Sequence, residues 1–178
     1  TLTAQFNDLE SVERLLSANP GQVACVIVEP VAANMGVVLP EPDFLPGLRK
    51  LCDRYGALLV FDEVITGFRL ALGGAQEFFG VRADIVTFGK IIGGGMPVGA
   101  YCASRALMEE VAPCGPVYQA GTLSGNPVAM AAGLAQLHWL ENHPGLYPEL
   151  ERKAEILAAG MRKLAAGGQV PVAVNEVG

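Results

Sequence analysis

DFLPGLRKLCDRYGALLVFDEV, residues 43–64, decides the fold. Leu45, Leu48, Leu51 and Cys52 recur at helical spacing on one face, while Arg49, Lys50, Asp53 and Arg54 fall largely on the others. Gly56 then supplies a left-handed stop, so the spacing predicts a helix over Asp43 to Tyr55 whose apolar stripe lies on a sheet. Ala57 to Phe61 follows as a short continuous apolar run, the pattern of a strand buried on both faces. Upstream, Gln22 to Glu29 has the same character. Strand, helix, strand in that order implies a parallel β-α-β unit, and the fold class is α/β: three layers, α/β/α, around a mostly parallel sheet.

Downstream the alternation continues. A short helix is expected around Gln76 to Phe79, a strand over Ile85 to Phe88, a glycine-rich loop, a strand near Gly99 to Ala103, and a helix capped by Ser104 and running through Glu110. Asn126-Pro127 reads as an N-cap followed by the first helical residue of a long helix through about Glu141. The small residues Ala129, Ala131, Ala132, Gly133 and Ala135 permit close packing, and this helix is expected to be buried. Tyr147 to Ala166 makes a more polar helix ended by Gly167-Gly168, and the final QVPVAVNEVG reads like a strand cut short. With Thr1 in place of Met, the chain reads as a segment of a longer polypeptide.

At 178 residues, half of them hydrophobic, the chain is long enough for one substantial core. A net charge of −6 without a basic patch argues against nucleic acid, which demands clustered Lys and Arg. Apolar runs such as VACVIV and ALLVF are broken well before membrane-spanning length, and no signal peptide is visible. Cys25, Cys52, Cys102 and Cys114 are dispersed, without a C-x-x-C pair and with two of them in apolar runs, which suits a reducing compartment and a cytoplasmic protein. His138 and His143 are five apart and do not form an i, i+4 metal pair.

In parallel α/β sheets, functional groups gather beyond the carboxyl ends of the strands. Three expected strands end there in charge: VIVEP in Glu29, LLVFDEV in Asp62 and Glu63, IVTFGK in Lys90. Lys90 is the only charged residue between Asp84 and Arg105. A lysine stripped of hydration loses its preference for the charged form, and the neutral amine attacks a carbonyl to form a Schiff base; the alternative is a stem that snorkels past Ile91 or Ile92. Asp62 either caps the next segment or holds a pyridine-type nitrogen protonated. The glycines after Lys90 match no nucleotide fingerprint, because Asp84, Ile91 and Val98 occupy required positions, and they indicate a turn with positive φ or a close backbone approach. QAGTLSGNP offers the Thr122 and Ser124 hydroxyls and a helix start as a phosphate acceptor, or is simply an N-cap turn.

With these residues in view, the chain resembles the class III (fold type I) pyridoxal-phosphate aminotransferase family. The resemblance spans nearly the whole chain and is carried by EPVAANMG (29–36), LLVFDEVITGFR (58–69), GGAQEFFG (73–80), FGKIIGGGMPVGAY (88–101) and YQAGTLSGNPVAM (118–130). It implies pyridoxal 5'-phosphate as cofactor, alternating with the pyridoxamine form. Lys90 would be the Schiff-base lysine, Asp62 the partner of the pyridinium nitrogen, and Val64 the residue packed on one ring face. Thr122, with the backbone around Gly121, would bind the phosphate held by the neighbouring subunit of a homodimer.

Asn34, where wider family members carry an acidic residue, and DEVITG in place of DEVQTG point to the branch that moves an amino group within one small substrate. Asn34 would lie near the ring and substrate; Ala33 departs from the usual glycine and implies a local backbone adjustment. An aminotransferase using an external donor and a non-catalytic relative are the alternatives. Residues 1–145 would be the C-terminal part of the cofactor-binding large domain, and 146–178 a helix and the start of the small domain. The 178 residues alone are expected to bind cofactor weakly and to be inactive.

Overall fold

The computed structural model describes residues 1–168 and 170–178. Strands β1 (Cys25–Val28), β2 (Leu58–Asp62) and β3 (Ile85–Phe88) lie parallel in that order, and β4 (Ala100–Ala103) runs antiparallel beside β3. Among the described residues six α-helices accompany them: α1 (Leu9–Ala18), α2 (Phe44–Tyr55), α3 (Gly74–Phe79), α4 (Arg105–Met108), α5 (Pro127–Glu141) and α6 (Leu146–Ala166). The α/β class and the mostly parallel sheet are as expected from the sequence.

One face of the sheet carries the core. Leu59 and Phe61 of β2 point into Leu45, Leu48 and Cys52 of α2, and Val12 and Leu16 of α1 close the cluster. Each such fully buried leucine contributes about 2 kcal/mol. Helix α1 was not expected; Asp8 caps it by accepting from the Ser11 amide at 2.9 Å. Gly56 ends α2 at φ +71, as its position after Tyr55 demands. Asp84 locks the layers together just before β3: its Oδ2 accepts from the Leu59 amide at 2.7 Å and from Arg49 of α2 at 2.8 Å.

Several expectations need correction. The first strand is shorter than Gln22 to Glu29, because only Cys25–Val28 finds partners on β2. Helix α4 stops at Met108, two residues before Glu110, although Ser104 does cap it. Helix α5 has the expected bounds and its Asn126 cap, yet it is not buried. Ala129, Gly133 and Leu140 are covered, whereas Val128 and Trp139 on one flank and Met130 and Leu134 on the other stay exposed, with too little packed against either flank among the described residues to bury them. Residues 170–178 form no strand, lacking a neighbour to pair with, and Gln169 lies outside the described residues. Of the cysteines only Cys52 is buried, and burial pushes its thiol up to about 11; Cys25, in VACVIV, is exposed with Cys102 and Cys114, because its face of the sheet is bare. Among the described residues no helix is long and apolar enough to cross a membrane, and no group of three or more His, Cys, Asp and Glu could hold a metal ion.

Candidate active site

Because β1, β2 and β3 are parallel, their carboxyl ends open on one edge, which carries Glu29, Asp62 and the Gly89-Lys90 turn. Asp62 is the last residue of β2 and stands in register with Thr87 of β3. Its Oδ1 accepts from the Val64 amide at 3.1 Å and from the Thr87 hydroxyl at 3.4 Å. Among the described residues Oδ2 has no hydrogen-bond partner, so one oxygen is anchored and the other remains available as an acceptor. Val64 reaches across to the second strand end: a Cβ placed on Gly89 would stand 3.2 Å from its Cγ1. Asp62, Thr87, Val64, Gly89 and Lys90 are thus one contiguous group.

Lys90 opens a single 3-10 turn, Lys90–Gly93, with φ +47. A non-glycine residue in this left-handed region costs roughly 1–2 kcal/mol and persists only where packing over-determines it. Here α5 does so, with Gly133 set against the Ile92 carbonyl and Gly94 (φ +56) against the Ala132 carbonyl, where side chains would collide. The glycine run is therefore a turn and a docking surface. Contrary to the desolvated surroundings that its apolar neighbours would allow, Lys90 is exposed in this chain, beside the half-buried Ile91 and Ile92.

Asp62 and Glu63, adjacent in sequence, part company. Glu63 is fully buried, and its Oε2 accepts from the Ala75 amide at 2.6 Å and the Thr66 hydroxyl at 3.1 Å, capping α3 from outside the helix. Burial raises its carboxyl above the ordinary range, while the Ala75 and Thr66 bonds lower it. Its folded value being raised, its contribution to stability is complete below the ordinary carboxylate range and is lost as the pH rises through the folded value. Wild-type protein is expected to gain stability relative to Glu63→Gln as the pH falls from neutral toward 5. Glu63→Ala strands the Ala75 amide beside a cavity and is expected to cost on the order of 2–4 kcal/mol. Denaturant melts at several pH values check both, and a Gln variant that parallels wild type at every pH refutes the assignment.

The remaining expected residues lie apart. Gly121 and Thr122 are exposed in the turn before α5, where the Ser124 amide donates to the Gly121 carbonyl at 3.0 Å. Asn126 already occupies the first helical amides, accepting from Val128 and Ala129 at 3.1 and 3.2 Å, so a phosphate there would rely on the Thr122 and Ser124 hydroxyls and loop amides. Asn34 sits exposed in a 3-10 turn, Ala33–Met35, beyond β1 on the same sheet edge as Asp62. That turn is closed by the Ala32–Val38 bridge, and after it Val37 adopts φ +56. Thr87 was not foreseen. Its only sequence signal is a hydroxyl two residues before Gly89, and its role appears once β2 and β3 are in register.

This set fits a phosphorylated pyridine aldehyde: an amine to take the aldehyde, a carboxylate anchored through one oxygen with the other open to a ring nitrogen, and a branched apolar side chain packed on the Gly89 that precedes the lysine. The sequence relatives agree. Residues 3–178 match the family model described as aminotransferase class-III. The chain is 61% identical over its whole length to the glutamate-1-semialdehyde 2,1-aminomutase of Ruminiclostridium cellulolyticum, covering 41% of that protein. It is 62% identical over 99% of its length to that of Acetivibrio thermocellus, covering 43%. It therefore spans about two fifths of the curated relatives it matches. Among solved structures, an omega-transaminase from Sphaerobacter thermophilus superposes with a TM-score of 0.89 at 38% identity, over 97% of this chain and 40% of that one. A structure described as a transaminase with PLP bound gives 0.88 at 32% identity, over 98% and 42%. The chain belongs to the class-III aminotransferase family.

Proposed function

We propose that the full-length protein is a pyridoxal-phosphate-dependent aminomutase that converts glutamate-1-semialdehyde to 5-aminolevulinate in tetrapyrrole synthesis. The observation that carries this is the single group formed by Asp62, Thr87, Val64 and Lys90, in a chain 61% identical to a protein of that name. When bound, the cofactor supplies an aldehyde for the lysine and an electron-withdrawing ring for the carbanion. Lys90 would hold the cofactor through its Nζ and, once displaced by the substrate's amine, would take up and return a proton at that same nitrogen. Asp62, oriented through Oδ1 by Val64 and Thr87, would offer Oδ2 to the ring nitrogen and keep it protonated. Val64 would pack on one ring face, and Asn34, beyond the end of β1, would lie near ring and substrate.

The active sites would be shared across a homodimer, with the exposed Gly121 and Thr122 available to the phosphate held by the partner. The exposed apolar residues on both flanks of α5 support such cover: Val128 and Trp139 lie on one side of its covered stripe, Met130 and Leu134 on the other, and soluble surfaces rarely leave so many large apolar side chains in water. In this reading 1–145 belong to the large domain, 146–178 begin the small one, and the protein is cytoplasmic, or stromal in a plant or alga. The similarity to an omega-transaminase favours a second reading, transfer from an external donor to an oxo acid. Incubating full-length holoenzyme with glutamate-1-semialdehyde alone separates them. Formation of 5-aminolevulinate without a donor is expected, and strict dependence on donor and oxo acid selects the second reading.

A further inference from the structure

Two non-glycine residues with left-handed backbones, Phe68 (φ +57) and Lys90 (φ +47), are linked through Phe88. The Phe68 and Phe88 rings lie 5.5 Å apart at 50°, and Phe88 is the last residue of β3, two before Lys90. Phe88 is gripped further by Gly67, on which any Cβ would stand 2.5 Å from its Cδ1. A bulky aromatic residue at positive φ is a true outlier and needs an external restraint. The restraint comes from far along the chain: the Tyr147 hydroxyl, on the first turn of α6, donates to the Phe68 carbonyl at 3.1 Å. Burial, and then the nearby Glu77 charge, raise the Tyr147 phenol above its ordinary value, so the hydroxyl keeps the proton it donates.

We propose that Tyr147 and Phe68 are positioning residues for Lys90: the Tyr147 hydroxyl fixes the Phe68 carbonyl, the Phe68 ring fixes Phe88, and Phe88 sets the turn that aims the lysine. This rests on Lys90 being the cofactor lysine, and it makes α6, the element leading away from the large domain, a direct support of the site. A tyrosine hydroxyl that merely held α6 in place would contribute to melting temperature and nothing else.

The test uses full-length holoenzyme. Tyr147→Phe deletes only the hydroxyl. It is expected to keep the visible band of the lysine-bound cofactor, to shift the pH midpoint of that band in the absence of substrate, and to lower kcat about fivefold to tenfold with KM nearly unchanged. Phe68→Leu, which loses the ring contact, is expected to do the same, and Phe68→Tyr, which keeps it, to restore the wild-type midpoint. A wild-type midpoint and kcat in both Tyr147→Phe and Phe68→Leu, whatever their melting temperatures, overturns the proposal while leaving the lysine assignment intact. A band that survives Lys90→Ala overturns the functional reading and the brace with it. If Tyr147→Phe fails to fold, the Phe68→Leu and Phe68→Tyr pair decides alone.

Discussion

Lys90→Ala in the full-length protein is expected to abolish the visible absorbance of lysine-bound cofactor and to lower turnover by at least about 10³-fold. General acid–base catalysis by one positioned side chain is worth roughly 10²- to 10⁴-fold, and this variant also removes the covalent attachment. The fold should not suffer. Lys90 is exposed, and alanine meets the same left-handed backbone as lysine, so stability is expected to stay within about 0.5 kcal/mol. Lys90→Gly relieves the strain at φ +47 and is expected to be more stable than Lys90→Ala by about 1 kcal/mol. Absorbance spectra, borohydride trapping and denaturant melts measure these effects. A Lys90→Ala protein with the wild-type spectrum removes Lys90 from its role.

Asp62→Asn tests the other half of the pair. Asparagine keeps the shape and an acceptor for the Val64 amide and Thr87 hydroxyl, so cofactor binding and the band are expected to persist. It cannot hold the ring nitrogen protonated, and the proton-abstraction step is expected to slow by on the order of 10²- to 10⁴-fold. Single-turnover spectra with substrate isolate that step from binding. Near-normal rates would reject the assignment. Thr87→Val, which removes only the 3.4 Å contact, serves as a milder control.

Much of the fold was legible because its signals are local. The helix over 43–55 announced itself by apolar spacing and its Gly56 stop, and the strand over 85–88 by a run of β-branched and aromatic residues bounded by Asp84 and Gly89. Helix α5 announced its start in Asn126-Pro127, yet its burial was misread, because apolarity says that a surface wants cover and not whether this chain supplies it. Lys90 shows the same limit: apolar neighbours in sequence imply desolvation only if they surround the side chain, and beside the half-buried Ile91 and Ile92 it is exposed, as the snorkelling alternative requires.

By itself the sequence determined the class of the chain and the kinds of chemistry at its strand ends, since periodicity, caps and the ordered family motifs depend on near neighbours along the backbone. Only the tertiary structure decided which of those groups act together. It separated Asp62 from Glu63, sending one to the open edge beside Thr87 and the other under α3, and it brought Tyr147 to Phe68 across 79 residues. The reason is physical: which carboxylate faces solvent and which is buried depends on sheet register and on what packs above each side chain, and neither is encoded within any short stretch.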